Sequence, residues 1–201
     1  MTNTAPRGHI TTRLVALVGL VVLFVGCVPT GERPELVDEH LGDLDAADCP
    51  SPGEPFAAFG AAEVTVVGPG GVATRRCVLV AATAELRQRG LMEVADLAGY
   101  DGMLFSFPED TSGSFWMSNT HLPLTIAFVD RDGGVVSTVD MDPCPDGVDC
   151  PFYGPDGPYR WALEVPQGNL ADLGLVEGAH LDPDSLPLAR PAEQLPGVVE
   201  E

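Results

Sequence analysis

The side chains best equipped for chemistry cluster in a few short stretches of this 201-residue sequence. Trp116, Asn119 and His121 share the stretch "FWMSNTHLPL" at 115–124, Met92 ends "RQRGLM", and Glu164 lies in "WALEV". An indole, an amide and an imidazole this close together read in two ways. In one, they converge with Met92 and Glu164 on the rim of a pocket, where an aromatic face and an amide bind a sugar or small polar ligand. In the other, Trp116 is a core anchor whose N–H finds one partner, and Asn119 turns the chain through local side-chain to backbone bonds. Both readings remain open at this stage.

Catalytic arrangements are harder to assemble. Ser118, His121 and Asp130 have the residue types of a hydrolytic triad, but Ser118 lacks the G-x-S-x-G setting that exposes such a nucleophile. Glu164 alternates with Ala162 along one strand face, so it is expected to point inward near Arg87 or Arg160 as a structural ion pair rather than a general acid. Asp130 and Asp132 belong to turn chemistry. The acids of "DMDPCPDGVDC" lack the ordered ligand spacing of a calcium loop, and with neither a CxxC pair nor a histidine cluster no metal or cofactor is expected. No catalytic residue is assigned.

The amino terminus points to export. Arg7, His9 and Arg13 precede an apolar run from Leu14 to Gly26, thirteen residues where a bilayer crossing takes about 20. Residues 1–26 therefore read as a signal peptide. The "LFVGC" that closes it resembles a bacterial lipobox, which implies cleavage before Cys27 and lipid on the Cys27 thiol; an ordinary secretory peptide is the alternative. The protein is then expected outside the cytoplasm, held to the cell membrane by that lipid. Setting Cys27 aside leaves four cysteines, an even number in an exported chain, and the expected disulfides are Cys144 with Cys150 and Cys49 with Cys77.

Charge narrows the partners. Lysine is absent, and once Arg7 and Arg13 leave with the signal, eight arginines face thirty acids, a net of −22. Such a surface repels nucleic acid and anionic headgroups. The partners left are the membrane through its lipid, and an envelope glycan or protein.

The elements that must position these residues are short and β-rich. "EVTVV" and "VATRRCVLVA" flank "GPGG" as one hairpin, and "LTIAFVD" and "VVSTVDM" flank "RDGG" as another. "GMLFSF", "YRWALEV" and "GAHL" add strands. Thr83 is placed to cap a helix over "AELRQR" that Gly90 stops, and Asn169 to cap "LADL" before Gly174. The fold class is mainly β: a compact β-sandwich or partly open barrel of six to seven short strands with one or two short helices. The domain spans 62–181, between an acidic tether at 27–61 and a mobile C-terminal tail at 182–201.

Four blocks stand in order: "RQRGLM", "GMLFSF", "FWMSNTHLPL" and "WALEVPQG", with "FVDRDGGVV" between the last two. Together they resemble the family called domain of unknown function 192, over roughly Val64 to Leu181. The resemblance implies a small, mainly β domain, often exported or membrane-attached, with no catalytic residues to inherit. It also implies departures: members usually carry Glu at the position of Leu86, a basic residue at Ser118 and Asp at Thr125. Leu86 removes the reciprocal capping box with Thr83. The expected function is a membrane-anchored extracytoplasmic module that binds a ligand or assists other envelope components without catalysis; the alternative is a hydrolase or other enzyme acting on envelope material.

Overall fold

A computed structural model describes residues 49–189, within a unit delimited as Asp45–Glu201. The signal peptide, Cys27, most of the tether and residues 190–201 lie outside the described residues. Seven strands form one curled sheet, a half-barrel, with a second sheet of two very short strands.

The first hairpin pairs β1 (Gly60–Val67) with β2 (Ala73–Ala81), in register from Gly60↔Val80 to Val67↔Ala73. The second pairs β5 (Leu124–Val129) with β6 (Val135–Met141). Its turn is built by the Asp130 carboxylate, which accepts from the backbone N–H groups of Asp132 (2.9 Å) and Gly134 (2.8 Å). Between the hairpins, β3 (Gly102–Thr111) runs parallel to β2, so the chain leaves the sheet over residues 82–101 and carries helix α1 (Ala84–Arg89) on the way. After the two-residue β4 (Phe115–Trp116) and β7 (Phe152–Tyr153), β8 (Tyr159–Pro166) inserts between β3 and β5. A short α2 (Leu170–Leu173) and β9 (His180–Leu181) complete the order β6-β5-β8-β3-β2-β1-β9.

Period-2 alternation sends successive side chains of the central strands into two cores. Met103, Phe105, Ile126, Phe128 and Ala162 enter one, with Phe56, Phe59, Leu91 and Tyr159 packed around them. Leu104, Val129, Trp161, Leu163 and Val165 enter the other, covered by Leu173, Leu175, Leu181 and Leu186. Each of the Val, Leu, Ile, Phe and Met side chains among them contributes roughly 1.5–3 kcal/mol on burial.

Helix α1 starts and stops where its signals predict: Thr83 accepts from the Leu86 N–H at 3.3 Å, and Gly90 ends the helix at φ +47°. α2 has its predicted bounds, but Asn169 makes no side-chain cap bond, because its backbone is already helical (φ −84°, ψ 0°) rather than extended. Both disulfides form as expected. Segments read as flanks are packed at their inner ends. Phe56 and Phe59 are core residues, Leu186 is buried, and the Pro187 carbonyl accepts from Ser106 Oγ (2.7 Å) and Trp161 Nε1 (3.0 Å). β7 is a strand the sequence reading did not include.

Candidate functional site

One face of the half-barrel holds a cleft of about 280 Å³ lined by α1 and the residues after it, by β3, by the β4 segment and by β8. Its walls are aromatic. Phe115 meets Phe105 edge to face, with centroids 5.0 Å apart, and Phe107 meets Tyr159 in the same way at 5.3 Å. The Tyr159 hydroxyl donates to the Gly113 carbonyl at 2.9 Å, and burial pushes this phenol up to about 12, so it stays protonated.

Glu164 is the decisive side chain. It is 4 % exposed and sits in the central strand β8 between Met103 of β3 and Ile126 of β5. No hydrogen bond or ion pair reaches its carboxyl from the described residues, and the side chain lines the cleft. Burial alone pushes it up to about 8, since a carboxylate removed from water without a partner is disfavoured. The expected ion pair is therefore absent. Arg160 instead binds Asp110, at 2.9 Å from Nε and 2.8 Å from Nη2, and Arg87 is turned to backbone: its Nη1 donates to the carbonyls of Ser106 (2.8 Å) and Ala82 (3.2 Å). Arg87 also lines the cleft, its Cζ 4.9 Å from the centre of the Phe107 ring, and desolvation lowers its pKa.

Of the five residues read from sequence as a binding set, Met92, Trp116 and Glu164 line this cleft. Trp116 is not a core anchor. It is 49 % exposed and stacks on Phe152, centroids 5.6 Å apart and planes inclined by 19°. Strand alternation explains this, because Met117 and half-buried Phe115 take the inward positions on either side of it. Asn119 and His121 line no part of the cleft. Asn119 is the turn residue, at φ +53°, with its backbone carbonyl accepting from the Glu93 N–H at 2.8 Å and its side chain beside Gly147. His121 is exposed.

Sequence reasoning did not place Arg87, Thr120 or Tyr159 in the site. Tyr159 and Glu164 differ by an odd number along one strand, so simple alternation puts them on opposite faces; the break in the β3–β8 ladder between Ser106 and Thr111 brings both to the cleft. Thr120 is drawn in by its bridge to Cys144, whose N–H donates to the Thr120 carbonyl at 3.1 Å. Among the described residues, no group of His, Cys, Asp and Glu is arranged to hold a metal ion, and no helix is long and apolar enough to cross a membrane.

The fold has solved relatives. A proposed transcription regulator from Sinorhizobium meliloti superposes with a TM-score of 0.55 at 27% identity, over 64% of this chain and 97% of its own. A protein of unknown function from Novosphingobium aromaticivorans gives a TM-score of 0.55 at 28% identity, over 67% and 94%. No curated protein is significantly similar in sequence. The family model DUF192, described as an uncharacterised ACR, matches residues 65–183. On that match, covering more than half the chain, the protein belongs to the DUF192 family.

Proposed function

We propose that the chain is an extracytoplasmic binding module, held to the cell membrane through lipid on Cys27, whose cleft receives a small polar ligand of the envelope. The two disulfides support an oxidising compartment. The observation that carries the binding reading is Glu164. The residue is 4 % exposed, and its side chain takes no hydrogen bond from the described residues and opens on the cleft, which places its carboxyl to meet a ligand. The cleft it lines has a half-exposed indole at its wall, suited to a ring, and one buried donor, suited to a hydroxyl or carbonyl oxygen. The transcriptional role proposed for the Sinorhizobium protein does not suit a chain whose thirty acids repel nucleic acid.

A second reading rests on the same group. A carboxyl pushed up to about 8 keeps its proton at neutral pH, as a general acid must. Hydrolysis of a glycosidic bond in the usual manner takes a second carboxylate across the bond, and Glu164 is the only acid among the described residues that line the cleft. Binding is thus the better supported function.

The test is an amide NMR titration of the Cys27→Ser chain lacking residues 1–26, disulfides formed, against envelope sugars and peptidoglycan fragments. Shifts that gather on Met92, Trp116 and Glu164, and vanish in Glu164→Ala at retained fold, bear the reading out. A flat response across the panel sinks it. Turnover of any bound fragment, lost in Glu164→Gln, would establish the enzyme instead.

A further inference from the structure

Six of the arginines lie among the described residues, and most have their guanidinium groups engaged. Arg75 pairs with Glu63 at 3.4 Å, and Arg131 and Arg160 both pair with Asp110. Arg76 donates to the carbonyls of Leu173 and Asp172, and Arg89 to that of Pro55 while its Cζ covers the Phe59 ring. Arg87 differs. Only its Nη1 is bonded, to Ala82 and Ser106; Nε and Nη2 have no partner among the described residues, and no carboxylate lies within ion-pair distance. The charge of this half-buried group is thus met by no carboxylate at close range; Glu85 acts on it only from further off. A guanidinium does not escape by losing its proton, so it remains charged in spite of desolvation.

The rest of the cleft fits that charge. The aromatic walls and Met92 are apolar, Tyr159 is neutral and tied to Gly113, and Arg89 is turned to Pro55. Among the described residues that line it, Glu164 is the only acid. With Arg87 and Arg89 on its lining, the cleft carries the opposite sign to the protein's surface while Glu164 is protonated, and loses part of that charge when Glu164 ionises.

Building on the binding reading above, we infer that the ligand is an anion: a small ring compound with a single carboxylate, of the sugar-acid class. The free edge of Arg87 receives the carboxylate, Trp116 covers the ring, and the Glu164 carboxyl donates its hydrogen to another ligand oxygen. The free edge of Arg87 matches one carboxylate, while Arg89 is exposed and turned to the Pro55 carbonyl, so a singly charged group suits the half-buried end of the cleft better than a phosphate monoester.

Recognition of an anion here is linked to a proton. The charged and titratable groups facing the cleft are Arg87 and Arg89 from α1, Tyr159 and Glu164 from β8, and none from β3 or the β4 segment. Only Glu164 changes state between neutral and mildly alkaline pH. Ionised, it loses its donor and repels the ligand. Affinity is expected to fall about tenfold between about pH 6 and about pH 9, since roughly one molecule in ten is still protonated at the higher value.

The experiment is calorimetric titration of the same soluble chain with D-glucuronate, D-glucose, acetate and inorganic phosphate at both pH values. Expected are binding of glucuronate in preference to glucose, about a tenfold loss at the higher pH, and uptake of protons on binding near pH 8, read from the buffer dependence of the heat. Glu164→Gln should bind with a pH-independent affinity, and Arg87→Gln should lose glucuronate by tenfold or more while its melting curve reports whether it folds. The Glu164→Gln comparison stands even if the Arg87 variant does not fold. Glucose binding as tightly as glucuronate, phosphate binding more tightly than either, or a wild-type affinity indifferent to pH each overturns the anion inference and leaves the cleft a binding site. No heat from any probe, together with unmoved cleft amides in the NMR panel above, overturns both.

Discussion

Gly102 stands against the backbone carbonyl of Glu164 with no room for a side chain between them: a Cβ at 102 would overlap that oxygen and approach Val165 Cγ1 to 3.0 Å. The pair sits where β3 meets β8, one residue from the Met103↔Glu164 register position. Backbone is the obstacle, so no rotamer change relieves it. Gly102→Ala is expected to destabilise the domain by roughly 1–3 kcal/mol through overpacking. Urea unfolding checks this, and a variant as stable as wild type would show that the two strands separate more easily than their pairing indicates.

Glu164 makes stability depend on pH in an uncommon direction for an acid. Its pKa rises from an ordinary 4.5 in the unfolded chain to about 8 in the fold, so between those values the native state binds more protons than the unfolded one. Stability from this group is then complete below about pH 4.5, declines as pH rises, and is lost above about pH 8. Wild type should lose several kcal/mol relative to Glu164→Gln across that window. Denaturation midpoints of both proteins at four pH values provide the comparison, in which the contributions of other acids cancel; parallel curves would mean the carboxyl is solvated.

The two tryptophans should report separately. Trp161 is 4 % exposed with its N–H bound to the Pro187 carbonyl, whereas Trp116 is 49 % exposed. Trp116→Phe should remove the red-shifted, acrylamide-quenchable part of the emission and cost less than about 1 kcal/mol of stability. Equal quenching of both indoles in wild type would contradict this assignment.

Loss of each disulfide should scale with the chain it closes. The Cys49–Cys77 link spans 28 residues and the Cys144–Cys150 link spans 6. In the loop-entropy picture, replacing the first pair by serine costs about 3–4 kcal/mol and the second about 2 kcal/mol. Thermal melts of the two double variants measure the difference, and a costlier loss of the short loop would point to its contacts with Ser118 and Thr120 instead.

What the sequence made legible was local. The hairpins announced themselves through "GPGG" and "RDGG", α1 through Thr83 and Gly90, and the inward direction of Glu164 through its alternation with Ala162. What it hid was long-range. Nothing near Arg87 says that its Nη1 reaches Ser106, nineteen residues on, instead of a carboxylate. Trp116 looked like core because it is large and apolar, but its neighbours Phe115 and Met117 claim the inward positions, and period two leaves it outside. Tyr159 joined the cleft only because the β3–β8 ladder breaks, which single-strand periodicity does not show.

The parallel pairing of β2 with β3 forces the chain out of the sheet and back, and that excursion carries Arg87 and Met92. A second excursion between β3 and β5 carries Phe115, Trp116 and Thr120. Glu164, Tyr159, Phe105 and Phe107 belong to the sheet itself. The site is thus divided between a floor whose depth is set by strand pairing and two overhanging segments free to change length and side chain without breaking the central ladders. Leu86 and Ser118, two of the positions where the family resemblance implies a different residue, fall on those segments. In this chain a change on those segments can reshape the rim of the cleft while the carboxyl beneath stays where the sheet puts it.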